Sequence, residues 1–381
     1  MKKLRRVLSV GLSLALCAGM VLPALAVEYD ISKGDVIIDS TGSSGVVMGQ
    51  EESSRNEFTE DDRSVTISQS EAGPTGHTIT VGENVTDTTI TLNGVNIDAS
   101  GSGKAAMSVG TSSDVTVELD GENTLKSGAD HAGLELNGGG SVTIQDETTK
   151  DDGAALTANG GNGGAGIGSG YWAKAGSITI NGGDVTATGG NGNKNYGYGG
   201  GVGIGSGYWA EAGSITINGG DVTAKGGKQG AGIGSGNRGN IGDITINGGD
   251  IFAQGGGRTQ TTDGGGAGIG SGDDAKASNI TITGGEVTGN GDERAAGIGS
   301  SAYSTIGNIT ITGGEVTGND LLALDIQPVF QSRGKLFAGL TVPEFPVAIQ
   351  RFRFAAGMKY RPQHSHSATF GLLAMKCTNR K

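Results

Sequence analysis

The sequence has few of the residues from which most folded proteins build a core. Only 4% of its 381 residues are aromatic, proline occurs six times and cysteine twice, whereas glycine supplies 76 residues. So few large apolar side chains are poor material for an ordinary compact core. The composition therefore favours a repetitive fold that needs mainly small side chains.

We expect an exported chain, and in it the two cysteines cannot form an internal disulfide. Residues 1–26 read as a secretory signal peptide, with a basic start, an apolar stretch and the cleavage motif Ala24-Leu25-Ala26. Cys17 lies inside this segment, so its removal leaves Cys377 alone. No later run is long enough to span a membrane. We predict a secreted, extracellular chain, with attachment to the cell surface left open.

Charge is divided along the chain, whose formal net charge is −12. Acidic residues dominate the middle, and the last 62 residues are basic. An acidic body repels nucleic acid and anionic lipid, and is compatible with divalent cations. We therefore predict no nucleic-acid partner.

A repeated segment organises the middle of the chain. Its five clearest copies resemble "GAGIGSGYWAKAGSITINGGDVTATGG", and their first isoleucines are Ile167, Ile204, Ile233, Ile269 and Ile298. In each copy an Ile-Thr-Ile triplet begins 11 residues later. Looser copies surround Ile90, Val115 and Val142, and one further copy is indicated at Val65. Such self-similarity is the signature of a stacked architecture.

Each repeat predicts short strands that cannot bury their apolar face alone. Apolar and polar residues alternate with period two, and Gly-Gly or Asn-Gly turns separate the strands. Stacking repeats places isoleucine on isoleucine and pairs every backbone amide with the next coil. We predict an all-β parallel β-helix of about eight to nine coils over residues 65–319. Residues 27–64 are a lead-in or cap, and residues 320–381 are either a C-terminal cap or a truncated or out-of-frame tail.

The glycine-rich turns are not predicted to bind a nucleotide. A dinucleotide fingerprint is one glycine-rich turn between a strand and a helix. Here the turn recurs five times without a helical pattern beside it.

Aromatic residues mark a candidate carbohydrate-binding surface. The only two tryptophans occupy equivalent places in consecutive repeats, as Tyr171-Trp172 and Tyr208-Trp209. Tyr196 and Tyr198 belong to an insertion between these repeats. Flat apolar rings with a polar edge are suited to stacking on sugar rings. The alternative is that these aromatics only cover a corner of the helix or pack under the insertion.

Acidic residues form a second candidate column. They follow Gly-Gly in five successive repeats and are Asp184, Asp221, Asp250, Glu286 and Glu315. Like charges one rung apart repel, so either they extend into water or a cation bridges some of them. Ca²⁺, which prefers clustered oxygen ligands, is the candidate ion.

Outward threonine and asparagine residues also align from repeat to repeat, as in Thr179 with Asn181 and Thr216 with Asn218. Such an array could bind a polysaccharide or resemble an ice-binding surface. We interpret it as a soluble β-face.

Catalytic motifs are not found. The histidines show no Ser-His-Asp or zinc-ligand spacing, and the adjacent Asp273 and Asp274 only superficially resemble the paired carboxylates of hydrolases. We predict that the protein is not an enzyme.

The repeat "GAGIGSG…SITINGGDVTATGG", preceded by "ITLNGVNIDASGSGKAAMSV", resembles exported β-helical proteins of clostridia-like Gram-positive bacteria, and the resemblance covers roughly Val65 to Asn319. It is most similar to the calcium-containing carbohydrate-binding domain family. The resemblance implies a right-handed, pectate-lyase-like β-helix that binds plant polysaccharides such as cellulose and pectic acid. Our leading hypothesis is a secreted or cell-surface protein that binds plant or cell-wall polysaccharide without cleaving it. The alternatives are a structural or adhesive spacer, and a polysaccharide lyase or hydrolase.

Overall fold

The computed structural model describes residues 27–41, 46–50, 56–58, 63–146, 153–192, 199–260, 263–292, 294–319 and 336–338. The predicted signal peptide, residues 1–26, lies outside the described residues. So does the predicted tail, apart from its residues 336–338.

Strands form three long sheets and one short sheet, here named A to D. Sheet A contains Val27–Asp30, Ser64–Ser68, Thr86–Asn93, Asp114–Asp120, Ser141–Gln145, Ile178–Ile180, Ile215–Ile217, Ile244–Ile246, Ile280–Ile282 and Ile309–Ile311. Sheet B contains Asn56–Phe58, Val46–Gln50, Val36–Ser40, Ile79–Val81, Met107–Val109, Leu134–Leu136, Ile167–Gly168, Ile204–Ser206, Ile233–Ser235, Ile269–Gly270 and Ile298–Gly299. Sheet C contains Asn96–Asp98, Glu122–Lys126, Ala155–Asn159, Asp184–Thr188, Asp221–Lys225, Asp250–Gln254, Glu286–Asn290, Glu315–Asn319 and Leu336–Ala338. Sheet D contains Glu211–Ala212, Asn240–Ile241, Lys276–Ala277 and Thr305–Ile306, and the one helix of the described residues is a 3₁₀ turn, Ile31–Lys33.

The chain passes from sheet B to sheet A to sheet C in each coil, and then returns to sheet B one rung further along. In the described residues, eight successive coils contribute one strand to each of these sheets. Neighbouring coils pair in parallel and in register, as Ile178 with Ile215 and Ile215 with Ile244. The prediction of an all-β parallel β-helix with about eight to nine coils is therefore confirmed.

Columns of small and branched side chains fill the interior. The two isoleucines of the Ile-Thr-Ile triplets that begin at Ile178, Ile215, Ile244 and Ile280 are fully buried, whereas the threonine between them faces outward and is half-buried. Sheet C contributes valine or isoleucine and alanine, as Val222 and Ala224. Because most buried side chains rest on an identical or similar aliphatic residue in the next coil, as Ile215 on Ile244 and Val222 on Ile251, few aromatic residues are needed.

Glycine is required where the backbones of adjacent coils approach most closely. Gly205 in sheet B has φ of 132°, and a Cβ atom there would lie 2.0 Å from the carbonyl oxygen of Gly234. The same close approach recurs at Gly168, Gly234 and Gly270. A side chain at this column would force the coils apart.

The two ends of the described helix differ from its middle. At the N-terminal end, Val36–Ser40 pairs in parallel with Ile79–Val81, but Val46–Gln50 and Asn56–Phe58 extend sheet B in antiparallel fashion. At the other end, Leu336–Ala338 pairs in parallel with sheet C through Val316, Thr317 and Gly318. The predicted lead-in over residues 27–64 therefore shares its sheets with the repeats.

Candidate functional site

A single corner of the helix holds one residue with a left-handed backbone in every coil. This residue lies five positions after the first residue of the sheet B strand in each of the eight coils, from Ile79–Val81 to Ile298–Gly299. From the fourth coil onward it is Trp172, Trp209, Arg238, Asp274 and Tyr303, with φ between 53° and 57°. We call these five residues the corner strip. In the three preceding coils the same place is taken by Asn84, Ser112 and Gly139, which also have positive φ.

Backbone hydrogen bonds hold the corner strip in regular steps. The amides of Trp172 and Trp209 donate to the carbonyls of Tyr208 and Asn237, each at 3.1 Å. The amides of Arg238 and Asp274 continue the series at 2.9 Å and 3.3 Å, to the carbonyls that precede the next member of the strip. Side chains from five different coils are thereby aligned along the axis of the helix.

The two tryptophans form the exposed start of the strip. Their rings stack with centroids 5.4 Å apart and planes 21° apart. Trp172 remains 63% exposed and Trp209 45% exposed. Two large apolar rings therefore share one surface that faces solvent.

The tyrosines lie one layer deeper than the tryptophans. Tyr171 and Tyr208 also stack, with centroids 5.4 Å apart and planes 13° apart, but Tyr208 is only 2% exposed. The residue before the strip position is buried in the three central coils, as Tyr208, Asn237 and Asp273, whereas Tyr171 is only partly buried. Tyr208 therefore packs against Tyr171, whose ring centroid lies 6.0 Å from that of Trp172, and exposes almost no surface to solvent. The predicted loop aromatics Tyr196 and Tyr198 lie outside the described residues.

Arg238 extends the strip by one rung and was not identified from the sequence. Its guanidinium carbon lies 5.4 Å from the ring centroid of Trp209, in a cation–π arrangement. Its Nε lies 3.3 Å from Oδ2 of Asp274, and its Nη1 donates to the hydroxyl of Tyr208 at 3.5 Å. The signal that could have found it is its position in "GSGNRG", where Arg238 occupies the place of the tryptophan in "GSGYWA".

Next to the strip lies a buried carboxyl group. Asp273 is 5% exposed, and its Oδ2 accepts a hydrogen bond from Nε2 of Gln229 at 3.0 Å. Its Oδ1 is also buried and lies beside the backbone of Gly264. Burial raises the pKa of Asp273 to about 6, against the opposing effects of hydrogen bonds from the Gln229 side chain and the Gly264 backbone. The paired acids of the sequence thus differ, because Asp273 points inward and Asp274 outward.

The predicted acidic column exists as a register of neighbouring residues on sheet C. Asp184 pairs with Asp221, Asp221 with Asp250, Asp250 with Glu286 and Glu286 with Glu315. All five are exposed. Burial, together with the charges of Asp184 and Asp250, raises the pKa of Asp221. Among the described residues, no group of three or more histidine, cysteine or acidic side chains is arranged to hold a metal ion. Calcium binding by this column stays a prediction.

The outward polar face of sheet A is internally bonded. Asn218 donates to Asn181, Asn247 donates to Asn218, and the hydroxyl of Thr283 donates to Asn247, each at 2.8 Å. These bonds use much of the donor and acceptor capacity of the aligned amides. This face is consistent with the interpretation of a soluble, self-satisfied surface.

Comparisons with known proteins support the architecture. A family model described as a β-helix repeat matches residues 215–237 and 280–302. Each match runs from an Ile-Thr-Ile strand of sheet A through sheet C to the next turn of sheet B. No curated protein and no solved structure matches the chain. In the part of the chain that the structure describes, no helix has the length and apolar character needed to cross a membrane. β-Helix repeats fit carbohydrate-associated or surface proteins in general, and the stacked sheets with these matches show that the chain is a right-handed parallel β-helix.

Proposed function

We propose that this protein is a secreted or cell-surface protein that binds polysaccharide, such as a cellulose- or pectin-like polymer, without cleaving it. The observation that carries the proposal is the exposed stack of Trp172 and Trp209 at one corner of a rigid helix. A sugar ring has an apolar face of C–H groups and a rim of hydroxyls. Stacked indoles can cover the face while polar neighbours bond to the rim.

The backbone conformation at the corner supports a function for these rings. A left-handed conformation costs a non-glycine residue about 1–2 kcal/mol. Gly139 takes the same place in the preceding coil without that cost. Smaller residues, Asn84 and Ser112, hold the same conformation in earlier coils, so the fold does not need tryptophan here, and we interpret the tryptophans as retained for what they contact.

Polar groups beside the tryptophans suit a hydroxyl-rich ligand. Arg238 and Asp274 remain 43% and 60% exposed while they contact each other. Their pairing makes this part of the strip locally neutral, and the guanidinium has further N–H groups besides those that contact Asp274 and Tyr208. An aromatic surface next to fixed donors and acceptors is the combination expected for sugar recognition.

The experiment compares wild-type protein with variants in two assays: retention on insoluble cellulose, and migration through gels that contain soluble pectin. We expect the wild-type protein to be retained by at least one polymer, and the Trp172→Ala/Trp209→Ala variant to lose that retention. The matched control is Phe252→Thr, which removes an exposed aromatic from sheet C and restores the threonine found in the neighbouring coils, Thr223 and Thr288.

Each alternative gives a different result. Absence of retention by any polymer would favour a structural or adhesive spacer, and unchanged retention in the double variant would remove the corner strip as the binding surface. Release of reducing or unsaturated sugar ends during incubation would favour a hydrolase or lyase.

A further inference from the structure

The corner strip continues beyond the tryptophans to a third exposed aromatic residue. Tyr303 occupies the strip position of the eighth coil, has φ of 57° and is 76% exposed. The amide of Asp274 donates to the carbonyl of Ala302 at 3.3 Å, which fixes Tyr303 one rung beyond Asp274. Tyr303 is therefore aligned with the tryptophans by the backbone, although no ring contact joins them.

The spacing of the strip sets the size of what it can contact. Trp172 and Tyr303 are four coils apart, which corresponds to about 19 Å at the usual separation of β-strands. Between them, Arg238 and Asp274 offer polar groups, and Trp209 adds the second ring. The order along the axis is thus aromatic, aromatic, polar, polar, aromatic.

The strip has a defined beginning. In the coil before Trp172, the same place is held by Gly139, which carries no side chain. No atom of another residue lies within 4 Å of the position that its Cβ would take. In the two coils before Gly139, the same place is held by Ser112 and Asn84. The aromatic contacts therefore start at Trp172 and extend in one direction, toward Tyr303.

From this geometry we infer that Tyr303 is a third aromatic contact and that the ligand is an extended glycan chain lying along the axis of the helix. This inference rests on the proposed function and adds to it a direction and a minimum length. A short sugar fragment can cover the tryptophan pair but cannot also reach Tyr303. A longer fragment gains the tyrosine contact without a second binding event.

The test uses size-fractionated fragments of whichever polymer retains the wild-type protein, titrated calorimetrically into four proteins. Wild-type affinity should rise with fragment length and then level off. Tyr303→Ala should bind short fragments as the wild type does and the longest fragments about tenfold more weakly, as expected for the loss of one ring contact. Trp172→Ala/Trp209→Ala should bind neither class, and Phe252→Thr should match the wild type throughout.

The outcomes separate this inference from the proposed function. If the wild type binds but Tyr303→Ala shows the same dependence on length, the inference is overturned and the tryptophan site stands. Equal weakening of short and long fragments by Tyr303→Ala would also overturn it, because binding of a short fragment would then depend on Tyr303 as well as on the tryptophans. If the wild type binds no polymer, both fail. Since Tyr303 is mostly exposed, its replacement should leave the circular dichroism spectrum and melting temperature unchanged, which excludes unfolding as the cause.

Discussion

Replacement of Asp273 by asparagine should stabilise the protein at neutral pH and leave it unchanged in acid. Asp273 is 5% exposed, and both of its carboxylate oxygens are buried. A carboxylate in such a place is poorly solvated, and the charges of Asp263 and Asp274 add repulsion. Asparagine keeps the size of the side chain and an oxygen that accepts the hydrogen bond from Gln229, but it carries no charge.

The magnitude follows from the pKa of Asp273, which burial raises from 3.8 to about 6. That difference corresponds to about 3 kcal/mol. The folded protein keeps the proton up to about pH 6, whereas the unfolded chain releases it near pH 3.8. Between these values the folded state binds more protons, so the free energy of unfolding decreases as pH rises. The loss is absent below pH 3.8 and complete above about pH 6.

The assay is urea unfolding followed by tryptophan fluorescence at several pH values between about 4 and about 8, two units either side of the raised pKa of about 6. Asp273→Asn should exceed the wild type by up to about 3 kcal/mol at the neutral end and match it at the acidic end. Asp274→Asn is the control, because its carboxylate is 60% exposed and its surface ion pair contributes about 0–1 kcal/mol. Equal stability of Asp273→Asn and wild type at neutral pH, or a difference that does not vary with pH, would refute this reasoning.

Two further predictions concern the stacking of coils. Gly205→Ala should lower the free energy of unfolding by more than about 4 kcal/mol or prevent folding, because its Cβ would lie 2.0 Å from the Gly234 carbonyl oxygen. Gly76→Ala is the control: its Cβ would have no atom within 4 Å, so its stability should stay within about 0.5 kcal/mol of wild type. Circular dichroism and urea unfolding measure both, and a well-folded Gly205→Ala protein would contradict the close approach. Asn218→Ala removes two side-chain hydrogen bonds on an exposed face and should cost about 1 kcal/mol. An unchanged urea midpoint would mean that the amide ladder of sheet A contributes nothing to stability.

The stacked coils could be predicted from sequence because their cause is local and repeated. Each Ile-Thr-Ile segment alternates between interior and solvent, and the constant distance from sheet B to sheet A keeps every segment in register. The acidic column and the tryptophan stack follow from the same register. Their positions along the axis are therefore contained in the repeat.

The corner strip was only partly predictable because it depends on backbone conformation. An arginine in "GSGNRG" gives no sign that it will stack on Trp209, and Tyr303 is not preceded by another aromatic as the tryptophans are. Tyr208 and Asp273 both directly precede a strip residue and are buried, whereas Tyr171, at the same place one coil before Tyr208, is only partly buried. Repeat alignment identifies equivalent positions, but only the folded corner shows which of them face the solvent.

The fluorescence of the two tryptophans tests most directly whether the corner strip binds polysaccharide. Trp172 and Trp209 are the only tryptophans of the chain, and both lie in the strip. Titration with a retained polymer should shift their emission to shorter wavelength and reduce quenching by acrylamide, with saturation at the same concentration as binding. Saturable binding of the polymer with unchanged emission and unchanged quenching would contradict the account, because the ligand would then lie elsewhere on the helix.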